Sequence, residues 1–222
     1  MWRSLGLLGM SLATSAGAAQ PHFLALGDSY TIGESVPASA RWPVQVVDAL
    51  AVRGIKLSGP EIVAQTGWTT DELSAAMDAH TFHPPYALVT LSIGVNNQYR
   101  GRNLGNYRNE FQHLLERAIK LAGDHPQHVI VVSIPDWGVT RFGAGSGRDT
   151  KQIARELDAY NAANAKISAR LGARYVDVTG ISRNAGAAAD MLTGDGLHPS
   201  VAQYKLWVDA ILAQAQSVLS TR

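Results

Sequence analysis

The chain of 222 residues carries 19 lysines and arginines against 18 aspartates and glutamates, a formal net charge of +1. It therefore lacks the basic field that nucleic-acid binding needs, and its arginines are scattered rather than clustered. The length suits one well-buried domain, no proline-rich linker marks a second, and the absence of cysteine excludes disulfides, thiol nucleophiles, thiolate zinc sites and a lipoprotein anchor.

Met1-Trp2-Arg3-Ser4 forms a short positive segment, Leu5 to Leu12 an apolar core, and Ala16-Gly17-Ala18 and Gly17-Ala18-Ala19 offer small-x-small cleavage sites. The apolar core is too short to span a bilayer. A first helix of the domain is the competing reading, but glycines suit a helix interior poorly. Residues 1–19 are therefore expected to be a signal peptide and 20–222 the mature domain of an exported protein, periplasmic or secreted. No stable membrane insertion is expected after cleavage.

Phe23-Leu24-Ala25-Leu26 reads as a buried strand, and Gly27-Asp28-Ser29-Tyr30 as a tight turn that presents a serine. A serine hydroxyl is a weak nucleophile, so it needs an adjacent base, a group that orients the base, and donors for the oxyanion. A serine after a strand also commonly caps a helix or turn, and the tetrapeptide alone leaves both readings open.

Pro43 at a helix start, with Val46, Val47, Leu50 and Ala51 at helical spacing, predicts a helix that stops at Gly54. Strand signal returns at Glu61-Ile62-Val63-Ala64. Thr69 and Glu72 then match a capping box opening a helix through about Ala79, which puts Gly67 in a strand-to-helix turn. Tyr86 to Ile93 is a near-continuous apolar run, as in a central parallel strand covered on both faces, and a loop with Asn96 and Asn97 leaves its carboxyl end.

Phe111, Leu114, Leu115, Ala118, Ile119 and Leu121 mark a long amphipathic helix ending at Gly123, and Val129 to Ile134 the next strand. Phe142 to Arg148 is glycine-rich and expected to be mobile. A helix from about Asp149 to Leu171 closes at Gly172, Tyr175 to Val178 makes a last strand, and Ser200 to about Leu219 a final helix. This alternation predicts an α/β sheet of about five parallel strands with helices on both faces, and ligands outside the strands' carboxyl ends.

His198 is the favoured general base, because its ordinary pKa lies near working pH and its two nitrogens can face a nucleophile and a carboxylate together. Asp195, three residues earlier, is close enough to hold the ring. A lone histidine before a proline would otherwise be a surface residue at a helix start. The remaining histidines, at positions 22, 80, 83, 113, 125 and 128, read as structural or solvated. Asn96 and Gly67 are candidate oxyanion donors beside the N–H of Ser29. An asparagine can donate to developing negative charge without a proton that might be lost, although Asn96 also suits a turn and Gly67 a backbone with positive φ.

In this order, Gly27-Asp28-Ser29-Tyr30, Gln65-Thr66-Gly67-Trp68, Ile93-Gly94-Val95-Asn96-Asn97 and Asp195-Gly196-Leu197-His198-Pro199 resemble the motifs of the SGNH or GDSL-type hydrolases. The resemblance runs from Gly27 to Pro199. It implies a three-layer α/β/α sandwich of flavodoxin-like type in which Ser29 is the nucleophile, Ser29, Gly67 and Asn96 form the oxyanion hole, and Asp195 and His198 complete the triad. Asp28 falls at a family position with a structural role. Two departures stand out: Tyr30 where the family often has Leu, and Asn97 where it usually has Asp.

The implied chemistry is hydrolysis of a small-molecule carboxylic ester through an acyl-enzyme, with no metal or organic cofactor. A small ester, an acetylated carbohydrate and a lysolipid all remain open as substrates. Tyr30, Trp68, Tyr99 and Trp137 lie on or beside the predicted active edge, where they could pack on a ligand or join the core, and Arg100 and Arg102 could meet an anionic group or simply be solvated. The rival from another class is a non-catalytic carbohydrate-binding module on the same fold. Retention of Ser29, Asp195 and His198 together argues against it, and no dinucleotide fingerprint or Walker lysine supports a nucleotide-binding protein. Oligomeric state is not legible.

Overall fold

A computed structural model describes residues 20–220; the expected signal peptide, residues 1–19, lies outside the described residues. The elements alternate as expected. Strands β1 (Phe23–Gly27), β2 (Glu61–Ala64), β3 (Leu88–Ser92), β4 (Val129–Val132) and β5 (Arg174–Val176) form one sheet in the order β2-β1-β3-β4-β5. Every pairing is parallel. The three inner strands are buried along their whole length, which is why their sequences are continuous apolar runs without alternation.

The principal helices are α1 (Ser29–Ile32), α2 (Trp42–Val52), α3 (Thr70–Ala79), α4 (Val95–Tyr99), α5 (Leu104–Leu121), α6 (Arg141–Gly145), α7 (Thr150–Leu171), α8 (Thr179–Ala185) and α9 (Val201–Ser220). Helix α2 packs against α9, which also touches β3, β5 and α8, while α3, α5 and α7 pack against one another and the sheet. The result is a three-layer α/β/α sandwich. Trp42, Trp207 and Tyr204 are fully buried in the α2–α9 layer and Tyr107 and Phe111 in the other, each large side chain contributing about 1.5–3 kcal/mol of burial.

The helix ends follow local chemistry. Thr69 and Glu72 form the reciprocal capping box of α3, and Asn103 accepts from the N–H groups of Gly105 and Asn106 to start α5. Asp149 caps α7, which Gly172 ends. Such caps contribute about 1 kcal/mol each.

Three segments differ from the sequence expectation. The loop after β3 is a helical turn, α4, and the supposedly mobile stretch from Phe142 folds as α6. There the Phe142 N–H donates to Gly196 O at 3.0 Å and the Gly143 N–H to Thr140 Oγ1 at 3.0 Å. Helix α8 was not anticipated. Each is at most seven residues long, too short for a hydrophobic period to register.

Candidate active site

The carboxyl ends of β1, β2, β3 and β4 lie along one edge, and the chain order reverses on either side of β1, the place where open α/β sheets leave a crevice. Gly27 ends β1 where no side chain fits, because a Cβ there would meet Thr31 Oγ1 at 2.1 Å and Ser92 O at 2.5 Å. The next residue, Asp28, caps α1 by accepting from the Tyr30 N–H at 3.0 Å. Ser29 thus occupies the first position of the helix, and the capping role that Ser29 could have filled belongs to Asp28. Its own N–H is a first-turn donor with no intrahelical acceptor. Burial pushes the Asp28 carboxyl up to about 7, against the lowering pull of the Tyr30 N–H.

Ser29 opens into a cavity of about 170 Å³ that it lines with Tyr30, Val95, Asn96, Tyr99, Trp137, Phe142, Leu197 and His198. His198 arrives from the loop before α9. Its Nδ1 lies 2.7 Å from Asp195 Oδ2, so the tautomer protonated at Nδ1 leaves Nε2 free as a base. Asp195 is held from several sides. Its Oδ1 accepts from Thr193 Oγ1 at 2.7 Å, the Leu197 N–H at 2.8 Å and the His198 N–H at 3.0 Å, while Oδ2 also accepts from Ser35 Oγ at 3.0 Å. Burial pushes this carboxyl up, but the bond to His198 and the other donors outweigh it and hold it well below the usual carboxylate range. Asp136 and Asp177 are committed elsewhere, to Arg183 and the Gly138 N–H and to Ser133 and the Thr179 N–H respectively.

Asn96 is half-buried, and its Nδ2 donates to Trp68 O at 2.9 Å. That bond uses one amide hydrogen and orients the second, which is what a preorganised oxyanion donor requires. It also ties the pocket to the next turn, where Gly67 sits at φ +88° with its carbonyl accepting from Arg100 Nη2 at 2.7 Å. Neither Gly67 nor Asp195 lines the cavity, and Asp195 is bonded to His198. Asn97 is fully buried, and its side chain bonds Thr70.

Of the four aromatics marked in the sequence, Tyr30, Tyr99 and Trp137 reach the cavity and Trp68 does not. Phe142 does, although its segment gave no such sign. Tyr99, Trp137 and Phe142 pack together with ring centroids 5.4–6.4 Å apart. Behind them Trp137 Nε1 donates to Gln98 Oε1, Gln98 Nε2 to Glu156, and Arg148 to Glu156 while lying 5.4 Å from the Trp137 ring centre. Tyr30 packs its ring 5.4 Å from that of His198. Arg100 and Arg102 pair with Glu72 and Asp71 and do not line the cavity. Among the described residues no group of three or more histidines and carboxylates could hold a metal ion, and no helix is long and apolar enough to cross a membrane.

A family model described as "GDSL-like Lipase/Acylhydrolase family" matches residues 25–206. The chain belongs to this family. A GDSL-like hydrolase is accordingly an enzyme acting on a small-molecule substrate. Several solved structures share the fold of this GDSL-like chain. TesA has a TM-score of 0.70 at 18% identity over 89% of this chain and 99% of its own. A lipase/acylhydrolase from Enterococcus faecalis has 0.69 at 19% over 90% and 97%. Axe2, an acetylxylan esterase from Geobacillus stearothermophilus, has 0.67 at 20% over 88% and 94%. A search of curated proteins finds no match by sequence.

Proposed function

We propose that the chain is a serine esterase for small, uncharged carboxylic esters, working through an acyl-enzyme on Ser29. The observation that carries this is the 2.7 Å contact of His198 Nδ1 with Asp195 Oδ2, made by a histidine that lines one cavity with Ser29 and Asn96.

In the proposed cycle Ser29 Oγ attacks the ester carbonyl and its proton passes to His198 Nε2. The imidazolium is held by Asp195, which stays ionised because its donors keep its carboxyl low. The oxyanion receives hydrogen bonds from the N–H groups of Ser29 and Gly67 and from Asn96 Nδ2. Collapse expels the alcohol, which takes the proton from His198. Water then attacks the acyl-enzyme, giving up a proton to His198, which passes it to Ser29 Oγ as the bond to the acyl carbon breaks and the carboxylic acid leaves.

The substrate class follows from the lining. No carboxylate, lysine or arginine lines it, and five of the nine side chains are Val95, Tyr99, Trp137, Phe142 and Leu197. A cavity of about 170 Å³ is below the roughly 300–1,000 Å³ of pockets that enclose a drug-sized ligand. It suits a short acyl group, with the alcohol portion outside. An acetylated carbohydrate, the class in Axe2's name, meets that requirement. Export of the mature domain, read from residues 1–19, is part of the same proposal.

Incubation with p-nitrophenyl esters of graded length tests the reading together with a serine-directed phosphonate. Acetate and butyrate should turn over faster than decanoate, and the phosphonate should label Ser29 stoichiometrically. Folded Ser29→Ala protein that still turns over ester, or labelling at Ser92 or Ser133 instead, would remove Ser29 from the mechanism.

A further inference from the structure

The turn after α1, residues 33–36, bonds both the loop that carries Gly67 and the loop that carries Asp195. It is fastened to the nucleophile's own helix, the Glu34 N–H donating to Ser29 O at 3.0 Å and the Val36 N–H to Gly33 O at 3.2 Å. From this turn the Glu34 carboxylate accepts from the Thr66 hydroxyl, on the loop that carries Gly67. The next residue, Ser35, donates to Asp195 Oδ2 across 160 residues of sequence. Ser35 does so from a backbone at φ +65°, in the left-handed region. Side chains rarely enter that region, and where they are held there the surrounding structure usually has a use for them.

We propose that Ser35 is a positioning residue for the catalytic base, its hydroxyl sharing Asp195 Oδ2 with His198 and so setting how firmly and in what direction the carboxylate holds the ring. This rests on the reading of Ser29, His198 and Asp195 as a triad. Among the described residues Asp195 Oδ1 has three donors of its own, whereas Oδ2 has only His198 Nδ1 and Ser35 Oγ. Loss of the hydroxyl would leave Oδ2 to the imidazole alone. The extra negative charge then favours the imidazolium, so the base is neutralised only at higher pH, and one of two restraints on that oxygen disappears.

The other charged and titratable groups around the pair stay in place when Ser35 changes. Tyr30 lies against the His198 ring, with its phenol pushed far up by burial and by the carboxylates of Asp28, Asp195 and Asp136. Arg141 lies beside Gly196 and donates to Thr193 O at 3.3 Å. Glu34 remains bonded to Thr66.

The test is the pH profile of kcat/KM for p-nitrophenyl butyrate in wild type, Ser35→Ala and Ser35→Gly, with thermal melts. Both variants should move the acid limb upward by a few tenths to about one pH unit. At the optimum kcat should fall about 2- to 10-fold, the net of one hydrogen bond, with KM little changed. Ser35→Gly should melt above Ser35→Ala because glycine accepts positive φ freely, so it carries the test if Ser35→Ala folds poorly. Acid limbs that coincide with wild type in the variants that fold overturn the proposal, whatever the melts show. An active Ser29→Ala protein, by contrast, overturns the triad reading itself.

Discussion

Asn97 holds Thr70 by two hydrogen bonds, its Oδ1 accepting from the Thr70 N–H at 3.1 Å and its Nδ2 donating to Thr70 Oγ1 at 2.6 Å. Thr70 Oγ1 in turn donates to the Glu110 carboxylate. The three groups form a one-way relay of donors that fastens α4 to the first turn of α3. An aspartate at 97, usual in the family, would set two carboxylates against a single hydroxyl proton. Asn97 therefore fits the presence of Glu110. Asn97→Asp should cost about 1–3 kcal/mol of stability, most of it recovered by adding Glu110→Gln. Denaturant melts on the four members of the cycle check this, and additive effects would contradict it.

Asn96 stands next in sequence but differs in what it holds. Its bond to Trp68 O uses one amide hydrogen, and the residue lines the cavity. Asn96→Ala should lower kcat by about 10²–10³, as at other oxyanion donors, with little change in Tm. Asn97→Ala should do the reverse, lowering stability by about 1–3 kcal/mol because the buried Thr70 N–H loses its acceptor. Steady-state kinetics and melts on the pair separate the two roles.

His198→Ala should lose nearly all activity, and Asp195→Asn should be strongly impaired because the ring loses the group that fixes its tautomer. His113→Ala should keep most of its activity. Near-wild-type kinetics in Asp195→Asn would contradict the orienting role, and Asp136 and Asp177 are too committed to substitute.

The aromatic wall should set acyl length. Phe142→Ala opens the side formed by α6, and the ratio of kcat/KM for p-nitrophenyl octanoate over acetate should rise by about tenfold or more. An unchanged ratio would place the acyl group elsewhere.

Asp28 gives a pH dependence of stability. Its folded pKa of about 7 lies above the ordinary 3.8, so between those values the folded state binds more protons than the unfolded. Stability therefore falls as pH rises through that window. Asp28→Asn retains an acceptor for the Tyr30 N–H and carries no charge. Melts from pH 4 to pH 8 should show wild type losing ground against Asp28→Asn, by a few kcal/mol at most. A constant difference would mean that the carboxylate is not penalised there.

The parts of the fold legible in the sequence were those encoded locally. The inner strands announce themselves as apolar runs, and Thr69 with Glu72 as a cap. Asp195 and His198 were legible as a pair because the carboxylate also accepts the N–H groups two and three residues on, a turn contained within four residues. Ser35 could not be seen, since its partner is 160 residues away and nothing periodic links them. Phe142 was hidden by the glycines of a helix too short to show a face. Arg100 and Arg102 were open between ligand and solvent because their acidic partners lie on α3, whose orientation only the tertiary structure sets.

The carbonyl of Tyr30, the residue after Ser29, accepts both Trp42 Nε1 and the Tyr204 hydroxyl, each at 3.1 Å. Helix α9, which supplies Tyr204, is synthesised long after Ser29, 174 residues separating Tyr204 from Tyr30. A nascent chain lacking α9 would have Ser29 but neither the Tyr204 bond to Tyr30 nor a docked His198. If Ser29, His198 and Asp195 act as proposed, hydrolytic competence emerges only after residues 195–198 and α9 have been made, and a stalled chain ending before residue 195 should be inert toward ester.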